Sequence, residues 1–124
     1  MEDITDRTDI VRMVDEFYGQ IRTNSLLGPL FDEVARVDWE KHLPKLYSFW
    51  ASILLDEHSY TGNPMLPHLT LSRRSPLGAR EFDEWIRLFT TTVDRLFAGP
   101  RAEEAKQRAA NIARLMLYKV QTNR

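Results

Sequence analysis

With 124 residues the chain suits one folded domain, residues 1–124, and is long enough to bury a core of its own. Its 17 basic and 18 acidic residues leave a net charge of -1 and are interspersed, so no basic block tracks a phosphate backbone and nucleic acid is not an expected partner. No apolar run approaches the ~20 residues needed to span a bilayer, and the lack of cysteine removes disulfides, thiolate metal sites, iron–sulfur clusters and cysteine nucleophiles.

The first ten residues, MEDITDRTDI, are charged where a secretory signal needs a basic start and an apolar stretch, so a cytoplasmic protein without a membrane partner is expected. Ile10, Val11, Val14, Phe17, Tyr18 and Ile21 then recur at steps of three and four, which predicts a helix over about 8–23 capped by Asp6 or Thr8. Asn24 and Ser25 end it. Leu26-Leu27-Gly28-Pro29-Leu30-Phe31 reads as an apolar corner in which Gly28-Pro29 breaks regular helix.

A second helix is expected from near Asp38, carrying Trp39, Leu43, Leu46, Phe49, Trp50, Ile53 and Leu54. Pro44 is out of place in a helix interior, so this helix either starts late or has a distorted first turn. Residues 56–67 read as loop, broken by Gly62, Pro64 and Pro67. A short helical turn can carry His68, and residues 70–78 return to loop.

Two long helices complete the chain. One spans about 79–97 with Phe82, Trp85, Ile86, Leu88, Phe89, Val93 and Leu96 at helical spacing. Gly99-Pro100 stops it, and Pro100 suits the first turn of the next. That last helix covers about 101–121, with Ala105, Ala109, Ile112, Ala113, Met116, Leu117 and Val120 inward. The fold class is all-α.

The residues able to carry chemistry are few. The histidines are His42, His58 and His68, without a His-x-x-x-His pair, a Glu-x-x-His pair or a carboxylate cluster for zinc or di-iron. The glycines are scattered, so there is no phosphate-cradling loop. His68 follows Pro64-Met65-Leu66-Pro67 and precedes Leu69 and Leu71. An imidazole in an apolar, proline-fixed segment is either a buried side chain bonded to a backbone carbonyl or the single protein ligand of a haem iron. Most of the aromatic residues read as core. Tyr18 and Trp85 each carry a polar atom that wants a partner when buried, so together they can also serve an anion-like ligand.

In order and spacing these segments resemble the truncated haemoglobins, group III, from about Ile10 to Val120. The resemblance runs through Phe17-Tyr18, Gly28-Pro29-Leu30-Phe31, Trp39-Glu40-Lys41-His42, Phe49-Trp50 and Tyr60-Thr61-Gly62-Asn63-Pro64. It continues through His68 and Phe82-Asp83-Glu84-Trp85-Ile86-Arg87-Leu88-Phe89. It implies a two-over-two helical sandwich around haem b. By position, His68 matches the proximal iron ligand, while Tyr18, Trp85 and His42 match residues of the distal, ligand-binding side. Leu46 matches the apolar residue one turn after His42, and Phe31 the phenylalanine at the corner. Phe49 and Trp50 join these in lining the cofactor. Arg73 and Arg74 are either partners of the haem propionates or solvated loop arginines.

The function implied is binding of O2 or another small diatomic ligand at iron, with Tyr18 and Trp85 as hydrogen-bond donors, for redox chemistry or sensing and not bulk transport. A haem enzyme of nitric oxide dioxygenase or peroxidase-like type, served by a reductase, is the alternative. A haem-free helical interaction module is the remote one.

Overall fold

A computed structural model describes residues 1–30, 39–55 and 78–122. Four long helices order the described chain: α1 (Arg7–Thr23), α2 (Trp39–Leu54), α3 (Ala79–Leu96) and α4 (Pro100–Thr122). The described residues contain no strand. No helix is long and apolar enough to cross a membrane.

Local chemistry sets each boundary. The Asp6 carboxylate accepts from the Asp9 N–H at 3.2 Å and caps α1. At the other end Asn24 adopts extended backbone and its N–H closes on the Ile21 carbonyl at 3.1 Å. The start of α3 has no side chain to cap it, because the residue there is Gly78. Instead Glu81 reaches back and accepts the Gly78 N–H at 2.7 Å, half of a capping box.

Two expectations about proline give way to the structure. Helix α2 begins at Trp39 and runs through Pro44 without interruption. Pro44 is exposed, so its ring meets water, and it costs the helix one early hydrogen bond rather than its first turn. Gly28 and Pro29 carry helical backbone, so the pair opens a helical turn after the corner instead of forbidding one. Proline belongs in a first turn because the N–H it lacks would be unpaired there anyway.

The helices pack as two pairs laid one on the other, with contacts between α1 and α2, α3 and α4, α1 and α3, and α2 and α4. Side-chain ties show that neighbours run antiparallel. Arg7 at the start of α1 reaches Ser48 in the second half of α2 at 3.0 Å, while Tyr18 late in α1 packs on Trp39 at the start of α2 at 5.4 Å; between them Asp15 accepts from the Tyr47 hydroxyl. Asn24 at the end of α1 meets Glu84 at the start of α3, while Glu16 meets Arg95 near the end of α3.

The buried face of α1 is Ile10, Met13, Val14, Phe17, Tyr18 and Ile21. Met13 completes the stripe in place of Val11, which is half-buried. Helix α4 turns Ala102, Ala105, Ala109, Ala113 and Met116 inward, and these small side chains let it approach α3 closely. Ile112 and Leu117 are only partly buried, and the Val120 side chain lies outside what the structure describes.

The acidic N-terminus is part of this core. Ile4 is fully buried. The Ala98 N–H bonds the Glu2 carbonyl at 3.0 Å, and Asp3 accepts from the N–H groups of Arg101 at 3.0 Å and Ala102 at 2.9 Å. Asp3 thus caps α4 from 98 residues away in sequence. Gly99 makes room for it. Its φ of +146° is one that L side chains rarely adopt, and a Cβ there would lie 2.5 Å from the Asp3 carboxyl carbon.

Candidate functional site

Tyr18 and Trp85, expected to act together from 67 positions apart, are brought into one cluster. Both are buried, on α1 and α3 respectively. Phe17 packs against both. Its ring meets Tyr18 edge-on at 4.8 Å, Trp85 at 5.4 Å and Phe89 at 5.0 Å between centroids. Helical geometry explains the set: 17 and 18 share the buried stripe of α1, and 85 and 89 are one turn apart on α3.

Trp85, Phe89 and Trp50 form a column of near-parallel rings. Trp85 and Phe89 are 6.0 Å apart and tilted by 14°, and Phe89 and Trp50 are 5.0 Å apart and tilted by 20°. Helix α2 supplies the other wall. Leu46 and Trp50 are buried, whereas His42, Leu43, Phe49 and Ile53 stay partly exposed. His42 presents its ring edge to Tyr18 at 6.2 Å and sits 5.7 Å from Trp39. Trp39 packs on Tyr18 at 5.4 Å and carries the Arg22 guanidinium over its face at 5.3 Å.

Two polar atoms mark this apolar cluster. Trp85 Nε1 is buried and makes no well-formed hydrogen bond among the described residues, although the Tyr18 phenol lies near enough to feel its N–H. A buried indole N–H left unpaired costs the fold about 1–3 kcal/mol, so its retention calls for an explanation. The Tyr18 phenol is the second. Burial drives its pKa well above the ordinary tyrosine value, and the nearby Trp85 N–H only partly opposes this. Tyr18 is therefore a neutral O–H donor throughout the physiological range.

The remaining residues singled out in the sequence, Phe31, His68, Arg73 and Arg74, lie outside the described residues, as does His58. Spacing alone marked Phe17, Trp39 and Phe89 only as core, yet they hold the polar pair in place. It gave Asn24 no role beyond ending α1. The signal for that residue is chemical: an Asn just past a helix can bond the backbone ahead of it and still have an amide N–H to give.

The matching family model is that of the bacterial-like globins, which covers residues 1–118. The group 3 truncated hemoglobin ctb of Campylobacter jejuni is 32% identical, with 89% of each chain covered. The crystal structure of the group III truncated hemoglobin from Campylobacter jejuni superposes with a TM-score of 0.81 at 27% identity, covering 97% of this chain and 95% of that one. The two-over-two packing, the helix order and these similarities agree, and the chain belongs to the bacterial-like globins, as a group III truncated haemoglobin and hence a haem-binding globin.

Proposed function

We propose that His68 would hold haem b and that Tyr18 and Trp85 would donate hydrogen bonds to a diatomic ligand of that cofactor, O2 among them. The observation that carries this is the buried N–H of Trp85, without a well-formed hydrogen bond among the described residues, beside the buried phenol of Tyr18. A globin with only a core to fill has no use for an unpaired indole N–H. One that must grip a small polar ligand does.

The residues present suit the cofactor. A porphyrin is a flat apolar plate with one charged edge, and α2 offers it Leu43, Leu46, Phe49 and Ile53 along one side, from buried to partly exposed. Phe31 closes the corner in this reading, and Arg73 and Arg74 neutralise the propionates. When bound, the haem supplies an iron with one open coordination position for a diatomic molecule. His68 keeps the iron attached and Trp50, Phe89 and Leu46 exclude water. Tyr18 and Trp85 aim O–H and N–H dipoles at a ligand that gains negative character, in a dry setting where such bonds are strong. A ligand held by two donors is retained rather than delivered, which favours redox chemistry or sensing over bulk transport. Turnover would then require an electron donor, a reductase in the simplest case.

Purified protein titrated with haemin tests this. A Soret band should saturate at one haem per chain, and carbon monoxide should shift it after reduction. Binding to the native state alone should also raise the melting temperature, with roughly 4 kcal/mol of stabilisation at a thousandfold excess over Kd. A chain that melts identically with and without haemin, and gives no Soret band, overturns the reading.

A further inference from the structure

Asn24 makes three side-chain hydrogen bonds at the junction of three segments. Its Oδ1 accepts from the N–H groups of Leu26 and Leu27, both at 2.9 Å, and so folds the corner after α1. Its Nδ2 donates to Glu84 Oε2 on α3 at 2.8 Å. The same carboxylate is gripped from its other flank by Arg87, with Nε to Oε1 at 2.6 Å and Nη2 to Oε2 at 3.0 Å. The two donors, Arg87 first and Asn24 second, hold Glu84 well below the usual carboxylate range, at about 2. At neutral pH the amide therefore meets a charged acceptor, and the bond between α1 and α3 is charge-assisted.

Trp85 is the next residue after Glu84, and Tyr18 lies six residues before Asn24, about 9 Å along α1. Phe17 packs against both Tyr18 and Trp85, and the Trp85 N–H lies beside the Tyr18 phenol. Apolar ring contacts fix how far apart two helices lie. They resist sliding along the axis only weakly, whereas a hydrogen bond is directional and fixes register. The other polar tie between these helices, Glu16 to Arg95 at 3.1 Å, has both side chains about half exposed and contributes little. The Glu84 side chain is 22% exposed.

We propose that the Asn24–Glu84 bond is the register pin between α1 and α3, and that Asn24 and Glu84 are positioning residues for the Tyr18–Trp85 donor pair. This rests on the reading of those two residues as donors to the bound ligand.

The test uses the haem-loaded protein with carbon monoxide, whose C–O stretching band moves with the donors around it. Asn24→Asp keeps the acceptor for Leu26 and Leu27 but replaces the amide donor with a charge that repels Glu84. Glu84→Ala removes the acceptor. Glu84→Gln keeps an acceptor for Asn24 while losing the charge. Asn24→Asp and Glu84→Ala should shift or split the C–O band and speed ligand release by about three- to tenfold, below the roughly hundredfold that a full ångström of misplacement costs. Glu84→Gln should restore the single wild-type band. Tyr18→Phe and Trp85→Phe serve as references for direct loss of a donor. If they shift the band and the Asn24 and Glu84 variants do not, the pin is refuted and the donor reading stands. If Tyr18→Phe and Trp85→Phe leave the band unmoved, both fall. Should Asn24→Asp fail to fold, Glu84→Ala against Glu84→Gln separates the same outcomes.

Discussion

Tyr18 and Trp85 stand against one ring, Phe17, at 4.8 and 5.4 Å, although they come from different helices of opposite direction. The pair therefore belongs to one packing unit, and removing either donor leaves the other in place. If both donate to one ligand, each bond is worth roughly 1.5–3 kcal/mol, or on the order of tenfold to a hundredfold in release rate. Tyr18→Phe and Trp85→Phe should each accelerate dioxygen release by that factor in stopped-flow measurements. The double variant should fall short of the product, because the donors share a ligand. Release that is already fast in the wild type and insensitive to both changes would leave a simple reversible gas binder.

Iron ligation by His68 makes a sharper prediction. His68→Ala should lose haem on gel filtration, while His42→Ala and His58→Ala should elute with a Soret band. Full retention by the His68 variant would remove the central assignment.

The helices were legible because their signals are local. Apolar residues at steps of three and four gave α1, α3 and α4 to within a residue or so at most ends, and Gly99-Pro100 marked the break between the last two. The chemistry of two polar aromatics at inward positions singles out Tyr18 and Trp85, but bringing them to one place takes the family resemblance, since nothing in spacing says which two helices meet. The docking of the N-terminus was not legible, for a related reason. Ile4 is one apolar residue among charges, and its burial depends on Asp3 finding two N–H groups at the start of α4. Pro44 looked disruptive because propensity treats a helix as isolated. Here α2 is held by Leu46, Trp50 and Leu54 in the core, which outweighs one missing hydrogen bond.

That N-terminal dock should show in acid and in mutants. Burial works to raise the Asp3 pKa, but the N–H groups of Arg101, Ala102 and Ile4 and the Arg101 charge outweigh it and leave the value lowered. Glu84 is lowered from 4.5 to about 2 by its Arg87 and Asn24 bonds. A depressed carboxylate stabilises the fold fully above its unfolded pKa and loses that contribution as pH falls through the folded value. Stability should therefore decline progressively below about pH 4.5, and the decline should be shallower in Glu84→Gln and Asp3→Asn than in wild type. Urea melts across that range test it, and parallel curves for all three proteins would contradict it. At neutral pH, Asp3→Ala should cost about 0.5–2 kcal/mol, the usual loss for removing a helix cap. Gly99→Ala should cost at least as much, since it adds backbone strain to a clash with Asp3.

Among the described residues His42 is the imidazole at the site, and its aromatic contacts suit a gating role. It lies near the start of a helix that runs unbroken through Pro44, so its backbone is fixed by α2 and is not free to swing with a distorted terminus. Its ring is engaged edge-on with Tyr18 at 6.2 Å and lies against Trp39 at 5.7 Å. In the proposed site, ligation by His42 would displace the ligand that Tyr18 and Trp85 hold. His42 is half-buried at the edge of the cluster, a place from which it can obstruct or admit a ligand. The ferrous, ligand-free spectrum should accordingly be mainly five-coordinate and should stay so in His42→Leu. The association rate of carbon monoxide should change in that variant, by roughly a few-fold to tenfold for a residue that gates entry and contributes no bond to iron. A six-coordinate low-spin ferrous spectrum that disappears in His42→Leu would instead make His42 an iron ligand.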